Sequence, residues 1–207
     1  KEYLENKFKF QNVDAAYYDR VSKILKSRFR LKALDFKKTK EIMPYVDEMF
    51  EVFDKSYSKL STYVPISAEQ VTYFKKKYIT FINPEYIKFV VDEHHKLIAF
   101  AIVMPSFSVA LQKAKGKLFP LGILRMLQAK RHAKDVTFYL IGVHPDYQNK
   151  GVTAIIFDQY TKTFTKKGIV NCIRTPELED NESIRKIWAD FNPVTHKRRR
   201  TYRKDIV

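Results

Sequence analysis

The sequence predicts an α/β fold, a central sheet with helices on both faces, and three observations carry that expectation. Apolar runs of strand length alternate along the chain with segments of helical periodicity. One long apolar run stops at Pro145, and a turn bearing Gly151 then opens straight into a helix. At 207 residues and 45% hydrophobic, the chain is long enough to bury a substantial core in one principal domain.

Residues 1–30 are polar, aromatic and lysine-rich, with Val21, Ile24, Leu25 and Phe29 at helical spacing. They read as an arm appended to a domain covering residues 31–207. Residues 31–36 alternate as a short strand, and Met43, Val46, Phe50, Phe53 and Tyr57 recur at three- and four-residue steps as the face of an amphipathic helix. Ser67 followed by Gln70 forms a capping box ahead of Val71, Phe74, Tyr78 and Phe81, so a second helix is expected to end before Asn83 and Pro84. Residues 86–92 and 97–104 read as two strands about the polar turn 93–96.

Residues 105–134 interrupt the strand pattern. Leu111, Leu118, Phe119, Leu121, Ile123, Leu124, Met126 and Leu127 stand among lysines without one acidic residue, a basic amphipathic insertion. Three uses stay open for it: a helix covering the core, a lid over a substrate, or a surface that meets lipid or an acidic carrier protein. Residues 136–143 form the next strand, and Val152, Ile156, Tyr160 and Phe164 stripe the helix that follows, closed by Lys166, Lys167 and Gly168. Residues 169–174 supply another strand. Asn181 caps a final helix lined by Ile184, Ile187, Trp188 and Phe191, and a last strand is expected over residues 195–206.

The formal charge of +16 implies attraction to phosphate-rich or otherwise anionic partners. It concentrates in two places: Lys113, Lys115, Lys117, Arg125, Lys130, Arg131 and Lys134, and a tail of Lys197, Arg198, Arg199, Arg200, Arg203 and Lys204. If the tail is a strand, its successive cations point to opposite sides. A single cysteine, Cys172 in an apolar run, excludes an intrachain disulfide and a Cys-rich metal site. His94 and His95 sit side by side on a turn, where their side chains diverge, and no metal is expected. With no apolar stretch of spanning length and no visible targeting signal, a soluble, cytoplasmic protein is the expectation.

The turn after residue 143 is the most specific feature. N–H groups in a first helical turn lack intrahelical partners and carry partial positive charge, so this is an anion cradle in outline, and Gly151 lets an anion approach the main chain. Gln148, Asn149, Lys150, Gly151, Val152 and Thr153, between a long strand and an amphipathic helix, resemble the Gln/Arg-x-x-Gly-x-Gly/Ala motif of the GCN5-related N-acetyltransferase (GNAT) superfamily. Asn181 begins the next helix where that family often has asparagine, and the element order from residue 31 onward is similar. More narrowly, the chain resembles the C-terminal half of bacterial proteins with two tandem GNAT-like halves.

The resemblance implies a GNAT-like acyl-CoA acyltransferase fold with a mixed central sheet. It implies acetyl-CoA or another acyl-CoA as acyl donor and an unidentified amine as acceptor. Main-chain groups of Ile141, Gly142 and Val143 would pair with the pantetheine arm, and the N–H groups of residues 148–153 would hold the pyrophosphate. Lys150 would add charge to the phosphates, beside its plain reading as a surface lysine. Asn181 would touch coenzyme A, beside its plain role as a helix cap. An N-terminal GNAT-like half would lie outside this chain, with residues 1–30 as the linker.

The departures from the family concern catalysis. Thr153 stands where Gly or Ala is preferred, and Asn192 with Pro193 replaces the usual Gly-Phe pair. Trp188 falls seven residues after Asn181, where many members carry a tyrosine that protonates the leaving thiolate, and an indole N–H has no useful acidity at neutral pH. The catalytic acid is therefore not carried over. Tyr139, Tyr147, Tyr202 or a water are the substitutes, and His144, Asp146, Glu177 and Glu179 are candidate bases near strand ends. Three readings follow: an acyl-CoA-dependent N-acyltransferase, a catalytically degenerate CoA-binding or regulatory domain, and a basic surface module for nucleic acid or membrane.

Overall fold

Strands and helices alternate through a computed structural model that describes residues 1–60, 63–119 and 121–204. Strand β1 covers Glu2–Lys9, helix α1 Ala15–Phe29 and strand β2 Lys32–Leu34. Helices α2 (Thr39–Ile42), α3 (Val46–Tyr57) and α4 (Ala68–Phe74) follow, then strands β3 (Ile87–Val91) and β4 (Leu97–Pro105). The basic insertion folds as α5 (Ser108–Lys113) and α6 (Leu121–His132). Strand β5 (Asp135–Val143), helix α7 (Thr153–Lys167), strands β6 (Asn171–Arg174) and β7 (Glu177–Leu178), helix α8 (Glu182–Trp188) and strand β8 (Val194–Arg200) complete the order.

The strand order is β2-β3-β4-β5-β6-β1-β7, with β8 on β1. The sheet is mixed: β5 and β6 run parallel, as a crossover through α7 requires, while β2 with β3, β3 with β4, and β1 with its partners are antiparallel.

Two compact units share the chain. One comprises Asp14–Met104 and Tyr139–Gly168. Its core gathers Ile42, Val46, Met49 and Val52 against Phe89, Val91, Leu97 and Phe100 of β3 and β4, as the helical stripe in the sequence requires. Helix α1 packs on α7 through Tyr18 and Phe157, whose ring centroids are 5.4 Å apart. Beside them the buried Asp158 carboxylate accepts from Ser22 at 2.9 Å and pairs with Lys162 at 2.7 Å. A buried carboxylate needs such partners to offset desolvation.

The other unit comprises residues 1–13, 105–138 and 169–204. Here β1 pairs with β6 and β7 on one side and β8 on the other. Phe8, Phe138, Trp188 and Phe191 form an aromatic cluster with centroid separations of 4.9 to 6.3 Å. The alternation of the tail is used electrostatically. Lys197 and Arg199 reach Glu5 at 3.0 and 2.7 Å, whereas Arg198 and Arg200 reach Glu2 at 2.8 and 3.2 Å.

Several elements differ from the sequence-based expectation. Residues 1–30, read as an arm, hold a strand that pairs within the sheet as well as the expected helix. Strand β1 has little apolar alternation because its Glu5 and Asn6 are buried and satisfied by β8: Asn6 Oδ1 accepts from Thr195 at 2.7 Å. The helix after Ser67 closes in a π-helical turn, Lys75–Ile79, and a short strand, β7, was not foreseen. The final strand ends at Arg200, and the expected end at Ile206 lies outside the described residues. Among the described residues no helix is long and apolar enough to cross a membrane.

Candidate functional site

The site grows from the end of β5. Ile141, Gly142 and Val143 are buried, and Gly142 is dictated by packing, since a Cβ there would stand 2.5 Å from the Phe100 ring and 3.2 Å from Ser56 Oγ. The C-terminal turn of α3 lies against these residues. Tyr57 donates its hydroxyl proton to the Ile141 carbonyl at 3.0 Å. Ser56 Oγ is 2.9 Å from the Val143 carbonyl and 2.5 Å from that of Val52, so one proton serves two acceptors. Gln148 turns back, and its Nε2 donates to the same Val143 carbonyl at 3.1 Å.

Two donors thus approach the Val143 oxygen, as many as its lone pairs can take. Ser56 and Tyr57 are contacts that the sequence did not announce. Tyr57 looked like the last apolar position of a helix stripe, and nothing local marks Ser56.

Beyond β5 the chain makes a tight turn at Pro145–Tyr147, where His144 Nδ1 accepts from the Asp146 N–H at 3.4 Å. His144 Nε2 also stands 3.4 Å from Lys55 Nζ. Asn149 and Gly151 then adopt left-handed conformations, with φ of 59° and 74°. Alternation of this kind turns successive N–H groups to one side and makes a concavity for an anion. Helix α7 begins without a side-chain cap. Ala154 and Ile155 donate to Gly151 and Val152 at 2.9 and 3.0 Å, but the N–H groups of Asn149, Lys150, Gly151, Val152 and Thr153 donate to no acceptor among the described residues. Lys150 Nζ lies over the rings of Tyr147 and Phe29, 5.3 and 5.7 Å from their centroids, which keeps its charge at this turn.

Residues 141–143 and 148–153 therefore belong to one unit. Asn181 belongs to the other, where its Oδ1 accepts from the Ile184 N–H at 3.2 Å as the cap of α8. Trp188 is buried in the aromatic cluster, with the Arg174 guanidinium 5.2 Å from its ring centroid. Packing alone accounts for its size.

Burial, reinforced by Asp92, Asp146 and Glu93, raises the Tyr147 phenol above its ordinary value. Tyr139 and Tyr202 are exposed on their respective units. Among the candidate bases, Asp146 and Glu179 are exposed. Glu177 is different: burial pushes its carboxyl up to about 7, against the opposing pull of Arg174, which stands 2.7 Å away. Burial also lowers the Arg174 guanidinium. No cluster of three or more metal-ligating side chains occurs among the described residues.

No protein-family model matches the chain, and no curated protein sequence matches it. Solved structures do. The GCN5-related glucosamine N-acetyltransferase region of a fungal multi-domain GH3 β-N-acetylglucosaminidase aligns over 96% of this chain and 20% of its own, at TM-score 0.58 and 7% identity. A GCN5-related N-acetyltransferase from Sphaerobacter thermophilus aligns over 95% of this chain and 49% of its own, at TM-score 0.57 and 7% identity. An aminoglycoside acetyltransferase from an uncultured soil metagenomic sample aligns over 88% of this chain and 99% of its own, at TM-score 0.52 and 11% identity. This chain thus spans a fifth and about half of the first two proteins. At these identities the likeness is one of fold: the chain has the GNAT fold.

Proposed function

We propose that this GNAT-fold chain is an acyl-CoA-dependent N-acyltransferase, transferring acetyl from acetyl-CoA to an unidentified amine. One observation carries the reading: five consecutive main-chain N–H groups, from Asn149 to Thr153, have no acceptor among the described residues and surround a left-handed glycine. Such a group of donors at a helix start suits a pyrophosphate. Lys150 adds a cation, and Ile141, Gly142 and Val143 offer main chain to the pantetheine arm. Asn181 enters the proposal only by the family resemblance.

The donor supplies a thioester, an acyl carbon that a neutral amine can attack. This chain's part is to hold the donor, exclude water and take a proton from an amine that arrives charged. A second, N-terminal GNAT-like half as partner enters the proposal only by the family resemblance.

A second reading is a domain that binds acyl-CoA without turning it over. It is favoured by Trp188, packed among Phe8, Phe138 and Phe191 where the family's acid tyrosine is expected. Free thiol release from acetyl-CoA across a panel of amines separates the two readings.

Thermal unfolding with and without acetyl-CoA tests the cradle. A ligand at a hundredfold its Kd stabilises by about 2.7 kcal/mol. Gly151→Ala takes on the strain of a side chain at left-handed φ, about 1–2 kcal/mol, and should keep the ligand shift. Gly151→Glu carries the same strain but sets a carboxylate against the donors, and the shift should vanish. An undiminished shift in Gly151→Glu would overturn the assignment.

A further inference from the structure

Helix α6 is reversed relative to a helix that packs on a core. Its i, i+3, i+4 and i+7 face, Arg125, Gln128, Ala129 and His132, lines a groove of about 360 Å³ together with α5 and Lys134. Its leucines and Ile123 meet solvent, Leu121 at the edge of that face and the others beside it: Leu121 is 58% exposed, Ile123 41%, Leu124 60% and Leu127 51%. The preceding Leu118 and Phe119 are 49% and 77% exposed. At 3.6 residues per turn the four helical positions spread over about 160°, and Arg131 falls inside that arc.

Charge separates this region from the basic tail. The tail cations lie against Glu2 and Glu5, whereas residues 105–134 contain no carboxylate at all. In the groove Lys113, Arg125 and Lys134 converge beside one carboxylate, Asp135, which accepts from Asn171 at 2.7 Å, and Arg125 Nη1 donates to the Lys113 carbonyl.

We propose that α5, α6 and the Leu118 and Phe119 side chains between them dock on an anionic phospholipid surface. The leucines and Phe119 enter the boundary between headgroups and acyl chains, and Lys113, Arg125 and Lys134 take headgroup phosphate in the groove. A nucleic acid has no use for six exposed apolar side chains. A protein groove takes a narrow stripe of anchors, whereas a bilayer accepts a broad apolar arc and lets an arginine within it reach back to the headgroups. This docking does not depend on the acyl-CoA reading.

Flotation of the full chain with vesicles of phosphatidylcholine alone, or mixed with phosphatidylglycerol, tests it. Binding is expected only to the mixed vesicles, and it should weaken as salt rises. The double variant Leu124→Gln, Leu127→Gln should lose about tenfold or more of that binding with its melting temperature kept, since both side chains are exposed. Lys113→Gln with Arg125→Gln should reduce the preference for the anionic lipid. Independently, the emission of Leu124→Trp should shift to the blue on adding mixed vesicles. Equal binding to both vesicle types, or leucine variants that bind as the native chain does, would overturn the proposal. So would capture by an acidic carrier protein with no vesicle binding.

Discussion

Helices α7 and α6 are of comparable length, and each carries an apolar pattern strong enough to be read from sequence, yet the fold uses them in opposite ways. Eight residues of α7 are buried, including Ile155, Ile156, Tyr160 and Phe164, while Gly122 is the buried residue of α6 among those described. The Tyr160 hydroxyl lies 2.9 and 3.0 Å from the carbonyls of Tyr86 and Ala101, so even the polar atom of that stripe is consumed by its own unit. An apolar stripe consumed in folding stabilises the chain. One left in water is available to a partner, and the basic residues around α6 say which sign of partner it favours.

The largest expected effect lies on the α7 side. Phe164 is 1% exposed and stacks on Tyr160 with centroids 5.0 Å apart. Phe164→Ala should cost about 3–5 kcal/mol, read from urea unfolding. A loss as small as that of an exposed residue would break the contrast between the helices.

A middle effect tests whether the unit that carries α6 has a tight interior of its own. Glu177 titrates near its ordinary 4.5 when unfolded but near 7 when folded, because burial favours the neutral carboxyl. Between those values the native state keeps a proton that the unfolded chain has lost. The stability from this group is therefore full below about pH 4.5 and is lost as pH rises through about 7. Glu177→Gln should flatten that decline, on the order of 1–3 kcal/mol, in urea midpoints measured across the window. An unchanged pH slope would mean that the carboxyl is better solvated than its surroundings imply.

The smallest effect belongs to α6. Leu124→Ala and Leu127→Ala should each stay within about 0.5 kcal/mol of the native stability. A cost near that of Phe164→Ala would mean that these leucines are structural, and would remove the basis for lipid docking.

Much of this was legible in local sequence. The Ser67 and Gln70 box caps α4 from both directions, with Gln70 N–H to Ser67 Oγ at 3.3 Å and Ser67 N–H to Gln70 Oε1 at 2.9 Å. Gly168 ends α7 in the left-handed conformation, φ 62°. The turn before α7 was legible for the same reason, since a strand, a proline turn, a left-handed glycine and a helix start are all local. Strand β1 was not, because it is held by long-range partners: Lys7, Phe8 and Lys9 stand opposite Ile173, Cys172 and Asn171. The Ser56 and Tyr57 contacts to β5 were hidden for the same reason.

By itself, then, the sequence determined most of the succession of elements, the caps at Ser67 and Gly168 and the left-handed turn at Gly151, because these depend on hydrogen bonds and periodicity within a few residues. Only the tertiary structure decided that Trp188 packs in an aromatic cluster, that the tail cations meet Glu2 and Glu5, and that the leucines of α6 remain in water. Which face of an element is covered depends on what packs against it, and those partners come from distant parts of the chain.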